Sequence, residues 1–215
     1  MMDQTVLQYV HSFSAPIPEW AIDMEREARQ DGVPIIDSHS MQFFHQLARS
    51  TQPSRILEIG TAIGYSALRL LEACPSALIT TLERDPDMIQ KAHVNISKRN
   101  CHDQIDLIEG DALEVVDKVA EKAPFDVIFI DAAKGQYQRF FQTFTPMLKE
   151  HGVVVTDNVL FRGLAADPSQ APSKRIQKMA EKIHAFNEWL MEHPNYDTTM
   201  LPIGDGMAIS TKKKN

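Results

Sequence analysis

The stretch Leu57-Glu58-Ile59-Gly60-Thr61-Ala62-Ile63-Gly64-Tyr65-Ser66 sets the reading of this chain. A short apolar run, Arg55–Ile59, stops at one glycine, and an amphipathic stretch over 66–73 begins after a second. Glycines at 60 and 64 let the backbone turn sharply and let a ligand come close, with the N-terminus of the next helix aimed at it. The spacing departs from the Gly-x-Gly-x-x-Gly of dinucleotide enzymes, and no Gly-Lys-Ser/Thr follows to make a phosphate loop. Glu58 would repel an anion, so the loop suits a ligand carrying positive charge. Taken alone, it reads equally well as a plain strand-to-helix turn.

The same alternation continues downstream. Apolar runs at 78–82, 105–108, Phe125–Ile130 and 152–156 are separated by helical stretches at 86–99, 113–122 and 136–150. Strand alternating with helix predicts a parallel sheet covered on both faces. The ending differs. A long amphipathic helix over 172–192 leads into Tyr196–Leu201, a turn at Ile203-Gly204-Asp205-Gly206, and a last run over 207–211. That pattern predicts an antiparallel hairpin closing the sheet.

In an open parallel sheet, ligands bind beyond the carboxyl ends of the strands. Glu83 ends the second run, 23 residues past Gly60, where a partner for a ribose diol is expected. Asp111, in Glu109-Gly110-Asp111-Ala112, stands either beside that ribose, in reach of an adenine, or as the cap of the following helix. The fourth run ends Asp131-Ala132-Ala133-Lys134 and the fifth ends Asp157-Asn158. Two carboxylates and a carboxamide suit Mg²⁺ or Mn²⁺, hard cations that take oxygen donors. Lys134, three residues from Asp131, is placed to act as a general base, with its pKa depressed by a nearby cation and partial desolvation.

Upstream, 18–30 reads as a charge-rich helix broken by Asp31-Gly32-Val33-Pro34, and a second helix opens at Asp37 or Ser38. His39 and His45 are six apart, which is no ligand spacing on one helix face, and read as ordinary helix residues. The division expected is a helical extension over 1–50 and one structural unit over 51–215. The chain has 215 residues, 43% hydrophobic and 24% charged, which excludes wholesale disorder. No apolar run reaches the ~18–20 residues of a membrane span, and residues 1–13 lack the basic patch and apolar core of a signal peptide. Cys74 and Cys101 lack metal-ligand spacing and read as reduced thiols of a cytoplasmic protein. With 22 basic against 29 acidic residues, the chain is no general nucleic-acid coat protein.

Together, Glu58-Ile59-Gly60-x-x-x-Gly64-Tyr65-Ser66, Glu83, Asp111-Ala112, Asp131-x-x-Lys134 and Asp157-Asn158 resemble the metal-dependent class I O-methyltransferases, the group of the catechol and caffeoyl-coenzyme A enzymes. The resemblance spans 33–211. The segment Asn158-Val159-Leu160-Phe161-Arg162-Gly163 looks most like the bacterial tRNA 5-hydroxyuridine methyltransferases. The resemblance implies an α/β, Rossmann-like, mostly parallel seven-stranded sheet with helices on both faces and a C-terminal antiparallel hairpin. It also implies roles. Glu58, Gly60 and Ser66 line the methionine end of S-adenosylmethionine, and Glu83 binds the ribose. Asp111 and Ala112 flank adenine, and Ile36 contacts the cofactor. Asp131, Asp157 and Asn158 hold the metal, Asp131 also lies next to the cofactor, and Lys134 is the base. No late acid of the kind that grips the substrate hydroxyl in catechol enzymes is identified, and the 160–173 loop differs from the plant enzymes.

Two acceptors meet the need for adjacent oxygens: a catechol, and a 5-hydroxyuracil with its O4 carbonyl. Lys174, Lys178 and Lys182 fall on one helix face, with Arg175, Arg162 and the tail Lys212-Lys213-Lys214 as further cations for tRNA phosphates or as an ordinary solvated face. The expected substrate is 5-hydroxyuridine of tRNA, with small catechol-like phenols as the alternative. Apolar Val6, Leu7, Tyr9, Val10 and Phe13 suggest a homodimer. A nicotinamide oxidoreductase is disfavoured by the glycine spacing, and a non-catalytic binding module by the four chemical residues. S-adenosylhomocysteine should raise the melting temperature of the protein while NAD leaves it unchanged, because only a ligand of the folded state stabilises it. The reverse pattern in a thermal-shift measurement would return the glycine loop to the dinucleotide enzymes.

Overall fold

The computed structural model of the protein describes residues 4–214, without the side chains of Gln4, Leu7 and His11. The contribution expected of Leu7 therefore lies outside the described residues. The chain divides into two compact units at Pro34–Ile35.

The first unit holds helices α1 (Gln4–His11) and α2 (Glu19–Asp31). Val6, Tyr9, Val10 and Phe13 are exposed, and the Tyr9 and Phe13 rings meet edge to face. Helix α2 starts after Pro18 and ends at Gly32, whose left-handed backbone turns its N–H back onto the last carbonyls.

The second unit begins before α3 (Ser38–Thr51), which the sequence reading grouped with the N-terminal extension. Tertiary packing accounts for its place. The Phe44 ring of α3 lies 4.8 Å from Phe129 of the central sheet. The Cys74 thiol, at the end of α4 (Tyr65–Ala73), donates to the Ala48 carbonyl. Both cysteines are free. Asp37 caps α3 by accepting from the N–H groups of His39 and Ser40.

The strands are β1 (Arg55–Ile59), β2 (Leu78–Glu83), β3 (Ile105–Glu109), β4 (Phe125–Ile130), β5 (Leu148–Asp157), β6 (Tyr196–Leu201) and β7 (Met207–Lys212). They form one sheet in the order β3-β2-β1-β4-β5-β7-β6. The first five are parallel, and β7 and β6 complete the sheet antiparallel. The fold is Rossmann-like, as the alternation and the closing hairpin predicted. Its remaining helices are α5 (Pro86–Lys98), α6 (Val116–Ala120), α7 (Tyr137–Phe144) and α8 (Lys174–Met191). Among the described residues no helix is long and apolar enough to cross a membrane.

Strand β5 starts four residues before the run expected over 152–156, and two helices are shorter than the sequence reading. The helix expected over 136–150 stops at Phe144, because Pro146 lacks an N–H and Leu148 already pairs with Phe125 in the sheet. The helix expected over 113–122 shrinks to α6, because residues 111–115 are taken up in a turn. There the Asp111 carboxylate accepts the Leu113 N–H and the Asp111 carbonyl accepts those of Glu114 and Val115.

The core is densest around β4, whose side chains alternate between the faces. Ile128 and Ile130 join Tyr137, Phe141 and Phe186 on one side, while Phe129 meets Phe44 on the other. Phe129 is fully buried, so Phe129→Ala should cost about 3–5 kcal/mol in urea unfolding, the usual range for emptying a core aromatic site. A loss under ~1 kcal/mol would mean that α3 collapses onto the sheet without it.

Candidate active site

The strand order reverses between β1 and β4, which opens a crevice at their carboxyl ends. Gly60 makes this crevice possible. Its φ of +103° suits glycine, and a Cβ there would fall on the Asp131 carbonyl. The Gly60 and Thr61 N–H groups bond the Leu82 carbonyl, and the Asp131 N–H bonds the Ile59 carbonyl. Asn95 of α5 donates to the Ile63 carbonyl and holds the far side of the glycine loop.

Glu58, Gly60 and Ser66 come together at the first strand end. Glu58 is wholly buried, with its carboxylate accepting from the Ser66 hydroxyl and, at 2.5 Å, from Thr81 Oγ1. Burial pushes its pKa up to about 7, against those two hydrogen bonds, which favour the charged form. Glu83 is half-buried and accepts the Ala62 N–H at 2.9 Å, tying the second strand end to the glycine loop. Asp111 caps its turn by accepting the Leu113 N–H and pairs with Arg84 at 2.9 Å. Ala112 is buried beside it, and Ile36 is buried just before α3. The start of α3 meets the β6–β7 turn, where the Ser40 hydroxyl donates to the Ile203 carbonyl.

Asp131, Lys134, Asp157 and Asn158 converge at the ends of β4 and β5. The register pairs Ile130 with Thr156, so Asp131 and Asp157 emerge side by side. Asn158 Nδ2 bridges them, at 3.2 Å from Asp131 Oδ1 and 2.9 Å from Asp157 Oδ2. Desolvation raises both carboxyl pKa values, and the neighbouring Asp131 charge adds to the rise at Asp157, which is pushed up to about 8. Desolvation holds Lys134 below the ordinary lysine value, against the pull of Asp131, Asp157 and Asp205.

The pair fits a divalent cation. Asp157 Oδ1 is buried without a hydrogen-bond partner, and two adjacent carboxylates with a carboxamide offer the hard oxygen donors that Mg²⁺ takes. Among the described residues no group of three or more His, Cys, Asp or Glu converges as a metal cluster, at this site or elsewhere, so the third donor here would be the Asn158 carboxamide.

Sequence reading missed Asp205. In the chain it looks like a turn residue between two glycines, but the turn folds back over the site and its charge acts on Lys134 and Asp157. Gly206 permits this, because a Cβ at its φ of +87° would strike Leu160. The signal available in the sequence was an acid in the closing hairpin, opposite the Asp157-Asn158 strand end.

Comparison with known proteins places the chain in a family. The profile of the O-methyltransferase family matches residues 21–213. The chain belongs to that family. It is 31% identical to the catechol O-methyltransferase of Niastella koreensis over 85% of both chains. Among solved structures, a candidate caffeoyl-CoA O-methyltransferase of Staphylococcus aureus superposes with a TM-score of 0.87, at 38% identity over 98% of both chains. An S-adenosylhomocysteine-bound methyltransferase from Podospora anserina also reaches 0.87, at 29% identity over 100% of this chain and 97% of that one.

The raised Asp157 pKa has a consequence for stability. The folded state keeps a proton that the unfolded state releases near pH ~4. Stability contributed by this group is therefore lost as pH rises from ~4 towards 8. In chelator, Asp157→Asn should gain thermal stability over wild type across that window and show no gain below it. Melting curves that stay parallel at all pH values would contradict the raised pKa.

Proposed function

We propose that this enzyme uses S-adenosylmethionine and a divalent cation, Mg²⁺ or Mn²⁺, to methylate a hydroxyl with a second oxygen beside it. We further propose that the acceptor is the 5-hydroxyl of 5-hydroxyuridine in tRNA. The first part rests on the convergence of Asp131, Lys134, Asp157 and Asn158 at two adjacent strand ends. The S-adenosylhomocysteine held by the Podospora relative supports the choice of methyl donor.

Asp131, Asp157 and Asn158 would hold the cation. When bound, it supplies Lewis acidity that lowers the pKa of the acceptor hydroxyl, and S-adenosylmethionine supplies an electrophilic methyl group. Lys134, whose pKa burial holds below the ordinary lysine value, takes the hydroxyl proton on Nζ. Held in line with that methyl group, the freed substrate oxygen would take it as the methyl–sulfonium bond breaks, and S-adenosylhomocysteine would leave. Ser66 and Glu83 would bind the donor, Glu58 would hold the glycine loop beneath it through Ser66, and Gly60 would let it approach the β1–β4 crevice. Asp205 adds negative charge beside Lys134 and favours retention of the proton that the amine accepts.

The tRNA reading is supported by the helix that borders the site. Lys174, Lys178 and Lys182 are exposed on one face of α8, and the Lys182 ammonium approaches Gly135, one residue from the base. Arg162 is exposed on the neighbouring loop and its charge acts on Lys134. Phosphates flanking an unstacked loop base suit such a rim. A catechol-like or caffeoyl-type phenol is the second reading, favoured by the names of the relatives. The exposed aromatic and aliphatic residues of α1 and its exit support a homodimer.

EDTA should abolish methyl transfer and Mg²⁺ restore it, and Lys134→Ala should lose about 10²–10⁴-fold in rate while still binding tRNA. Charge reversal at Lys174 and Lys178 should weaken tRNA binding and flatten its salt dependence. An enzyme that methylates catechol or caffeoyl esters well and leaves 5-hydroxyuridine tRNA untouched would establish the second reading.

A further inference from the structure

Asn158 has an unusual backbone for the residue whose carboxamide completes the site. Its φ is +62°, in the left-handed region, directly after the last residue of β5. Asparagine tolerates that conformation better than most residues, but tolerance alone does not select it over an extended continuation of the strand. Two side chains hold it from outside. The Tyr137 hydroxyl, at the start of α7, donates to the Asp157 carbonyl at 3.0 Å. Asn187 Nδ2, on α8, donates to the Val159 carbonyl at 2.8 Å. The carbonyls immediately before and after Asn158 are thus each fixed by one buried or half-buried side chain. On the other side, the Val159 and Leu160 N–H groups bond the Gly206 and Asp205 carbonyls, at 3.1 and 2.9 Å.

The Asn187 contact is costly to maintain. Its Oδ1 is buried without a hydrogen-bond partner, so the amide gives up half of its bonding capacity to make the one bond to Val159. Its orientation follows from that contact, since only the NH₂ end can face a carbonyl. Tyr137 is likewise almost completely buried, and its hydroxyl is kept protonated and donating, with its pKa pushed well up by desolvation.

We infer that Tyr137 and Asn187 are positioning residues, which clamp the Asp157 and Val159 carbonyls and so aim the Asn158 carboxamide between Asp131 and Asp157. This rests on the metal assignment under Proposed function and extends it to residues that touch neither metal nor substrate. Partners that orient ligands in this way commonly change metal affinity by about 10–100-fold when removed.

The test uses Mn²⁺ binding to the full-length, substrate-free protein, read by electron paramagnetic resonance of the free ion, with S-adenosylhomocysteine affinity measured by calorimetry. Tyr137→Phe and Asn187→Leu should each weaken Mn²⁺ binding about tenfold or more and leave S-adenosylhomocysteine affinity unchanged. Methyl transfer by both variants should recover at saturating Mn²⁺, so that the apparent KM for the metal rises while kcat holds, a split that general loss of packing would not produce. Should Asn187→Leu fail to fold, Tyr137→Phe, which deletes a single oxygen, carries the test. Wild-type Mn²⁺ affinity in both variants, or in Tyr137→Phe alone if only it folds, overturns the inference and leaves the metal site standing. A wild-type protein that takes up no Mn²⁺ overturns the metal site, and the inference with it.

Discussion

Everything at the site follows from placing two carboxylates side by side in a poorly hydrated crevice. Parallel pairing of β4 with β5, in the register that matches Ile130 to Thr156, leaves Asp131 and Asp157 as neighbours beyond the sheet. Neither ionises easily there, because burial withholds water from both and the Asp131 charge opposes that of Asp157. The arrangement calls for positive charge. Lys134 answers in part, and its own desolvation keeps it from answering fully. A crevice with two poorly hydrated carboxylates, a desolvated lysine and an orphaned carboxylate oxygen suits the cation and the proton transfer proposed for it.

The scaffold around this pair consists of devices that bring backbone close to backbone. Gly60 lets β1 turn against the Asp131 carbonyl, and Gly206 lets the last hairpin turn close over Leu160. The Glu58 carboxylate is buried under the glycine loop by the Ser66 and Thr81 hydroxyls, and Thr81 also meets Thr61 at 2.6 Å. These polar groups satisfy one another across β1, β2 and α4, which fixes the loop without filling the crevice above it. Opposite, α8 holds the loop after β5 at two carbonyls, Val159 through Asn187 and Ala165 through His184. The donor side of the crevice and the acceptor side are thus built from separate sets of contacts on one sheet.

Much of this was legible in the chain itself. The runs Arg55–Ile59, Phe125–Ile130 and Tyr196–Leu201 are strands with the bounds that their composition marks, because apolar and β-branched segments ending at Gly, Asp or Pro carry their own punctuation. The candidate site was legible for the same reason: in a parallel sheet the residues after each run face the crevice, so Asp131, Lys134, Asp157 and Asn158 could be read in order as candidates. The family follows from that set.

What the sequence alone could not decide involves residues far apart in the chain. Asp205 reads locally as a turn and becomes part of the site only because β7 pairs with β5 and folds that turn towards Lys134. Helix α3 reads as an N-terminal extension and belongs to the second unit because Phe44 finds Phe129, 85 positions later. Tyr137 and Asn187 read as ordinary helix residues until the tertiary structure sets them against the carbonyls on either side of Asn158. Local pattern determines which segments are strands and helices, since burial on one face and turn chemistry are written residue by residue. Which side chains then meet across the sheet depends on register and on helix docking, and those are settled only when the whole core is packed.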